Sequence, residues 1–108
     1  MSEFDKRERA AEGKFALDQE LRFKANARRN KLLGLWAAEL LGKTGEAAST
    51  YAATVVKADF EAPGDEDVFR KVRGDFDKAG VQVTDHQLHR QMSELMTTAI
   101  EQIKAEKR

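Results

Sequence analysis

The chain has 108 residues, with no cysteine, a single proline and no apolar run near the roughly 20 residues that span a bilayer. Without cysteine, disulfides and thiolate metal sites are excluded. The amino terminus, MSEFDKRER, also lacks the apolar region of a secretory signal. We therefore expect a cytoplasmic protein.

The sequence also has no excess of either charge. Lys and Arg total 19, Asp and Glu total 19, and the formal net charge is zero. A dedicated nucleic-acid binder usually carries a basic excess, because neutralising phosphates dominates its affinity. The charge balance therefore counts against that class of protein.

What the chain does contain favours helix: frequent alanine, leucine, glutamate, lysine and arginine, with few helix breakers. GKTG at 42–45, APGD at 62–65 and AGVQVTD at 79–85 are the three breaks. They predict an all-α four-helix bundle, with helices at about 18–41, 46–61, 65–79 and 84–106.

Apolar residues at helical spacing predict the core. Asp65 is the expected N-cap of the third helix, and Thr84 with Gln87 forms a capping box for the fourth. Gly34 is expected where a neighbouring helix approaches closely, and the linker valines Val81 and Val83 should cover the end of the bundle. The inward sets are Leu21, Ala25, Leu32, Leu35 and Trp36; Ala48, Tyr51, Ala52, Val55 and Phe60; Val68, Phe69, Val72 and Phe76; and Leu88, Met92, Leu95, Met96, Ala99, Ile100 and Ile103.

Residues 1–19 are predicted to be a flexible amino-terminal arm, outside a bundle of residues 20–108. At 100° per residue, Phe4 and Phe15 lie on one narrow face, and Leu21 lies about 120° from it. The two rings should thus point away from the core. Gly13 weakens the helix between them, so we expect the arm to be frayed or disordered alone and helical on a partner.

The most basic stretch is RFKANARRNK, at 22–31, which contains five basic residues and no acidic one. It is a candidate patch for an anion or nucleotide. A solvated face that makes helix–helix ion pairs explains the same residues, as does contact with an acidic protein surface. The five basic residues are Arg22, Lys24, Arg28, Arg29 and Lys31.

No pattern in the sequence indicates catalysis. A phosphate loop and a nucleophile beside a base are both absent, so we expect a protein that is not an enzyme and has no cofactor. His86 and His89 are three residues apart but lack the further ligands of a metal site. They are predicted to be a surface pair, with no metal bound.

Two long stretches, ELRFKANARRNKLLGLWAAELLG and DFEAPGDEDVFRKVRGDFDKAGV, resemble the zeta inhibitor subunit of bacterial F-type ATP synthases, and the similarity covers essentially the whole chain. The resemblance implies a four-helix bundle whose amino-terminal segment, Ser2 to about Gln19, inserts as a helix into a catalytic alpha/beta interface next to the gamma rotor. ATP hydrolysis would thereby be inhibited, by a protein associated peripherally with the membrane-bound synthase. The residues inferred to contact the catalytic head of the synthase are Phe4, Arg7, Arg9, Lys14 and Phe15.

Two other functions fit the basic stretch. One is a helical module that binds ATP or ADP weakly and senses energy charge. The other is a nucleic-acid accessory protein, whose binding should fall steeply with salt. We expect no nucleic-acid binding at physiological salt.

Overall fold

A computed structural model describes the backbone of residues 2–59 and 65–106, and the side chains of residues 20–59 and 65–106. The described residues form four α-helices: α1 (Ser2–Leu40), α2 (Gly45–Ala58), α3 (Glu66–Ala79) and α4 (Asp85–Glu106). The prediction of an all-α four-helix fold is confirmed. In the described parts, α1 packs against all three other helices, most extensively against α2 and α4.

The helix boundaries follow the predicted breaks, with one large difference. The first helix was expected from about residue 18, whereas α1 begins at Ser2. α2 ends at Ala58, and Phe60, which was predicted to be in the core, lies outside the described residues. The other observed ends lie within a few residues of the predicted ones.

Two helices end in the same hydrogen-bonded turn. Gly42 and Gly80 have φ of 77° and 72°, a left-handed conformation that glycine adopts without a Cβ clash. The Lys43 amide donates to the Ala38 carbonyl at 2.8 Å, and the Val81 amide donates to the Phe76 carbonyl at 2.9 Å. These bonds define Schellman motifs, which satisfy carbonyls left free at a helix end.

At the start of α4 the capping box is confirmed. The Gln87 amide donates to the Thr84 hydroxyl at 3.1 Å, and the Thr84 amide donates to the Gln87 side-chain oxygen at 2.9 Å. Asp65 precedes α3 as expected, but its side chain makes no cap hydrogen bond there. Its carboxylate accepts a hydrogen bond from Arg29 of α1 instead.

One hydrophobic cluster joins all four helices. Trp36 is partly buried against it and meets Phe76 edge-on, with ring centroids 5.7 Å apart. Val81 and Val83 also pack on the cluster, as predicted. Its buried members are Leu33, Ala37, Ala38, Tyr51, Val55, Val68, Val72, Phe76, Leu88 and Met92.

The buried face of α1 differs from the predicted one. Leu21, Leu32 and Leu35 are only half-buried. Ala25 is buried as predicted, and the other buried positions are Arg29, Asn30, Leu33, Gly34, Ala37 and Ala38. α1 lies between three helices, so its inward side needs small residues that allow close approach, and the leucines fall on its flanks.

Gly34 shows how close that approach is. A Cβ atom at this position would lie 2.5 Å from the Ala52 Cα and 2.9 Å from the Ala52 Cβ. Only glycine leaves room for α2 at this crossing, which confirms the predicted close contact.

Candidate functional site

α1 extends well beyond what its neighbours can cover. It has 39 residues, against 22 in α4 and 14 each in α2 and α3. At 1.5 Å per residue this is about 58 Å of helix, compared with about 33 Å for α4. Among residues 20–40 of α1, whose side chains are described, the buried ones lie between Ala25 and Ala38, and residues 2–19 extend the helix by eighteen residues towards its amino terminus.

That surplus length includes the amino-terminal segment, residues 2–19. The residues predicted to contact a partner are all on it, and their side chains lie outside the described residues. Their contacts therefore stay a prediction. They are Phe4, Arg7, Arg9, Lys14 and Phe15.

Residue count places Phe4 and Phe15 relative to the bundle. Leu33, which is fully buried, follows Phe15 by eighteen residues, or about five whole turns. Buried Arg29 follows Phe4 by twenty-five residues, within about 20° of seven turns. The prediction that these positions face away from the core was measured from Leu21, which is not a core residue. By count both positions continue the buried face of α1, but their side chains lie outside the described residues, so the direction of the two rings stays a prediction.

In the basic stretch, Arg29 is 2% exposed and does not belong to a surface patch. Its Nη2 lies 2.8 Å from the Asp65 Oδ1, and its Nε donates to the Asn30 Oδ1 at 2.7 Å. The Asn30 Nδ2 is buried and has no partner among the described atoms. Arg29 thus connects α1 to the start of α3, which corrects the predicted five-residue anion patch.

The other basic residues divide into paired and unpaired side chains. Arg28 of α1 donates to Gln102 at 2.9 Å and lies 2.7 Å from the Glu106 carboxylate, both on α4. Lys24 lies 3.3 Å from Glu20, one turn away. Within residues 20–59 and 65–106, Arg22 and Lys31 are exposed and have no carboxylate within 4.0 Å. The predicted helix–helix ion pairs are therefore present at Arg28 and, through a turn residue, at Arg29.

Phe23 is the most exposed large apolar side chain of the described part, at 67%. It borders an open groove of about 600 Å³ between α1, α2 and α4. We call this the basal groove; it is lined by Phe23, Lys24, Ala27, Arg28, Lys31, Val56, Ile103 and Glu106. The sequence offered a signal for it, since Phe23 does not belong to the apolar set predicted for its helix, but the contributions of Val56 and Ile103 depend on tertiary packing.

His86 and His89 are both exposed, as predicted. The His89 ring stacks on Phe69 with centroids 4.1 Å apart and nearly parallel planes. In the side chains that the structure describes, no three or more His, Cys, Asp or Glu residues are grouped so as to hold a metal ion. The pair is accounted for by its stacking and its exposure.

A polar contact fastens α2 to α3. The Tyr51 hydroxyl donates to the Asp75 carboxylate at 2.7 Å, and Lys71 lies 2.9 Å from the same carboxylate. Burial, then the hydrogen bond to Asp75 and its charge, raises the pKa of Tyr51. Burial alone would raise the pKa of Asp75, but hydrogen bonds from Tyr51 and Lys71 and the nearby lysine charges outweigh it and lower that pKa. The contact holds the bundle together at some distance from the amino-terminal segment.

These features define a small helical bundle in which one helix is much longer than the others, a groove lies between α1, α2 and α4, and polar contacts stabilise the fold. Where helices are described, none is long and apolar enough to cross a bilayer.

Comparison with known proteins gives the family. The family model described as ATPase inhibitor subunit zeta matches residues 1–102, and the chain belongs to this family. It is thus a regulatory protein, an inhibitor subunit that interacts with the ATP synthase. A protein solved by solution NMR is 51% identical, with a TM-score of 0.71 over 80% of this chain and 98% of that one. No curated protein matches the chain.

Proposed function

We propose that the chain inhibits ATP hydrolysis by inserting residues 2–19, as a helix, into a catalytic alpha/beta interface of the synthase head, close to the gamma subunit. The observation that carries the proposal is the surplus length of α1, 39 residues against 22 in the next longest helix. The rest of the molecule then serves as a bulky handle that stays outside the cleft. The protein associates with the membrane only through the synthase.

The register of α1 supports this use of the segment. Phe4 and Phe15 continue, by count, the face that α2, α3 and α4 cover further along the helix. Burial of two phenylalanines against a partner contributes on the order of 2–3 kcal/mol each. Arg7, Arg9 and Lys14 then set the register of the inserted helix through charge pairs at the rim.

Eighteen residues of helix span about 27 Å, which is long enough to wedge between two subunits. A helix already continuous with α1 also loses less conformational freedom on binding than an unstructured tail would. Length, register and continuity with the bundle therefore favour insertion over a loose surface contact.

The direct test is ATP hydrolysis by the purified cognate head, with the intact chain and with a chain lacking residues 2–19. The intact chain should inhibit at stoichiometric concentrations, and the shortened chain should not, while its circular dichroism shows a folded bundle. Equal inhibition by the two chains would refute the insertion.

A further inference from the structure

We propose that the basal groove is a second docking surface for the same partner that holds residues 2–19. It would receive an apolar side chain of the synthase head that is flanked by carboxylates. The inference rests on the proposed function and concerns the part of the molecule just outside the cleft. Docking at the basal groove makes the intact chain bind the head more tightly than the amino-terminal segment does alone.

Phe23 lies at the edge of the bundle core, on the face of α1 that is buried further along the helix. Asn30 and Gly34 follow Phe23 by seven and eleven residues, so each lies within about 20° of Phe23 around α1. Asn30 is 0% exposed and Gly34 is buried, whereas Phe23 is 67% exposed. Phe23 thus lies on the same face of α1 as these two buried residues, at a level along the helix where α2 and α4 no longer cover it.

The basal groove combines apolar and basic side chains. Its apolar surface comes from Phe23, Ala27, Val56 and Ile103, which belong to three helices. Lys24, Arg28 and Lys31 surround that surface. Lys24 is paired with Glu20 and Arg28 with Glu106, whereas Lys31 has no carboxylate partner within residues 20–59 and 65–106. The unpaired Lys31 favours a partner segment in which an apolar side chain has an acidic neighbour.

The short distance between the groove and the amino-terminal segment identifies the partner. Phe23 lies four residues after Gln19, about 6 Å along the same helix. A protein that encloses the segment up to Gln19 therefore comes within one side-chain length of the groove. Lys31, which has no carboxylate partner within residues 20–59 and 65–106, lies further along the helix and would pair with a carboxylate on that protein's outer surface.

The test uses the full chain and measures its affinity for the purified head. Phe23→Ala should weaken binding on the order of tenfold, because an exposed ring becomes a buried anchor in the complex. Leu40→Ala is the matched control, since Leu40 is also an exposed apolar residue of α1, 43% exposed, at the far end. Binding by the Leu40 variant should stay within about twofold of the unmodified chain.

Charge is tested in the same assay. Lys31→Glu should weaken binding about threefold to tenfold at low salt, and the difference should shrink at high salt. Lys43→Glu, in the turn between α1 and α2, is the control with the same charge change.

Failure of the groove and failure of the proposed function can be told apart. If Phe23→Ala and Lys31→Glu bind as tightly as the unmodified chain while loss of residues 2–19 abolishes inhibition, the groove proposal is overturned and insertion stands. If these variants change sedimentation of the free protein but not binding to the head, the groove joins two copies of the chain and the proposal is overturned. Displacement of the head by nucleotide bound at Phe23 and Lys31 would likewise overturn it in favour of a small-ligand site.

Discussion

The two halves of α1 differ in their share of charged residues. Between Ala25 and Ala38 the helix packs against three others, and three of those fourteen residues are charged. In residues 2–19, nine of eighteen residues are charged. We propose that one half of this continuous helix holds the fold together and that the other half binds a partner. Stability and inhibition should therefore respond to different substitutions.

The enclosed half is built from small residues. Alanine and glycine at its crossings bring the neighbouring helices close, with the Ala52 backbone directly against Gly34. Such packing tolerates little change in volume. Substitutions there should alter the free energy of unfolding without altering inhibition per folded molecule.

The largest effect on stability is expected from Phe76→Ala. Phe76 is fully buried and meets Trp36 edge-on, so the change removes a large contact and leaves a cavity. We expect urea denaturation to show a loss of about 4 kcal/mol, with inhibition unchanged under conditions where the protein stays folded. Phe76→Leu is the milder variant, with an expected loss of about 1.5 kcal/mol. If the alanine variant lost less than 1 kcal/mol, the core assigned to the bundle would be wrong.

Gly34→Ala should destabilise the bundle by about 2 kcal/mol, because its Cβ would lie 2.5 Å from the Ala52 Cα and the helices would have to separate. Gly74→Ala in α3 is the matched control, with nothing within 4 Å of the added Cβ. Alanine's higher helix propensity should there stabilise the protein by about 0.5–1 kcal/mol. Thermal unfolding measures both. Equal shifts in the two variants would contradict the close crossing.

Asp65→Ala should cost about 1–2 kcal/mol, because it leaves the guanidinium of buried Arg29 without its carboxylate. The partial exposure of Asp65 keeps the expected loss below that of a fully buried pair. Glu66→Ala is the neighbouring control, since its pair with Arg70 is exposed and should contribute less than about 0.5 kcal/mol. A larger loss for Glu66 than for Asp65 would contradict the role given to Arg29.

The smallest expected effect is the pH dependence of Tyr51 and Asp75. The folded-state pKa of Tyr51 is raised, so its stabilisation is present below about pH 10 and declines as the pH rises above that value. The folded-state pKa of Asp75 is lowered, so its stabilisation is present above about pH 4 and is lost as the pH falls through the folded-state value. Tyr51→Phe should cost about 1 kcal/mol at neutral pH and flatten the alkaline decline.

Urea denaturation across the pH range, on the unmodified chain and the Tyr51→Phe variant, measures these changes. An alkaline decline that survives in the variant would show that other groups cause it.

Local signals predicted the helices well. The glycine turns at Gly42 and Gly80 and the Thr84–Gln87 capping box act over a few residues, so the sequence alone reveals them. The covered face of α1 could not be predicted in the same way. Apolar spacing pointed to the leucines, whereas Arg29 and Asn30 are buried through contacts with distant parts of the chain.

For the site, residue types alone could not show which charges are free. The sequence does not distinguish Arg28, Arg29 and Lys24 as basic residues of one stretch. The fold places Glu106 next to Arg28 and Asp65 next to Arg29. The basal groove likewise depends on Val56 and Ile103 meeting α1 beside Phe23.

The central claim is that the two halves of α1 have separate roles, and a single variant tests it most directly. Phe4→Ala combined with Phe15→Ala changes only the outer half. Its inhibition of ATP hydrolysis by the purified head should weaken on the order of a thousandfold or more, as expected for two buried phenylalanine anchors, while its thermal unfolding matches that of the unmodified chain. Unchanged inhibition, or a loss of stability comparable to that of Phe76→Ala, would contradict the claim.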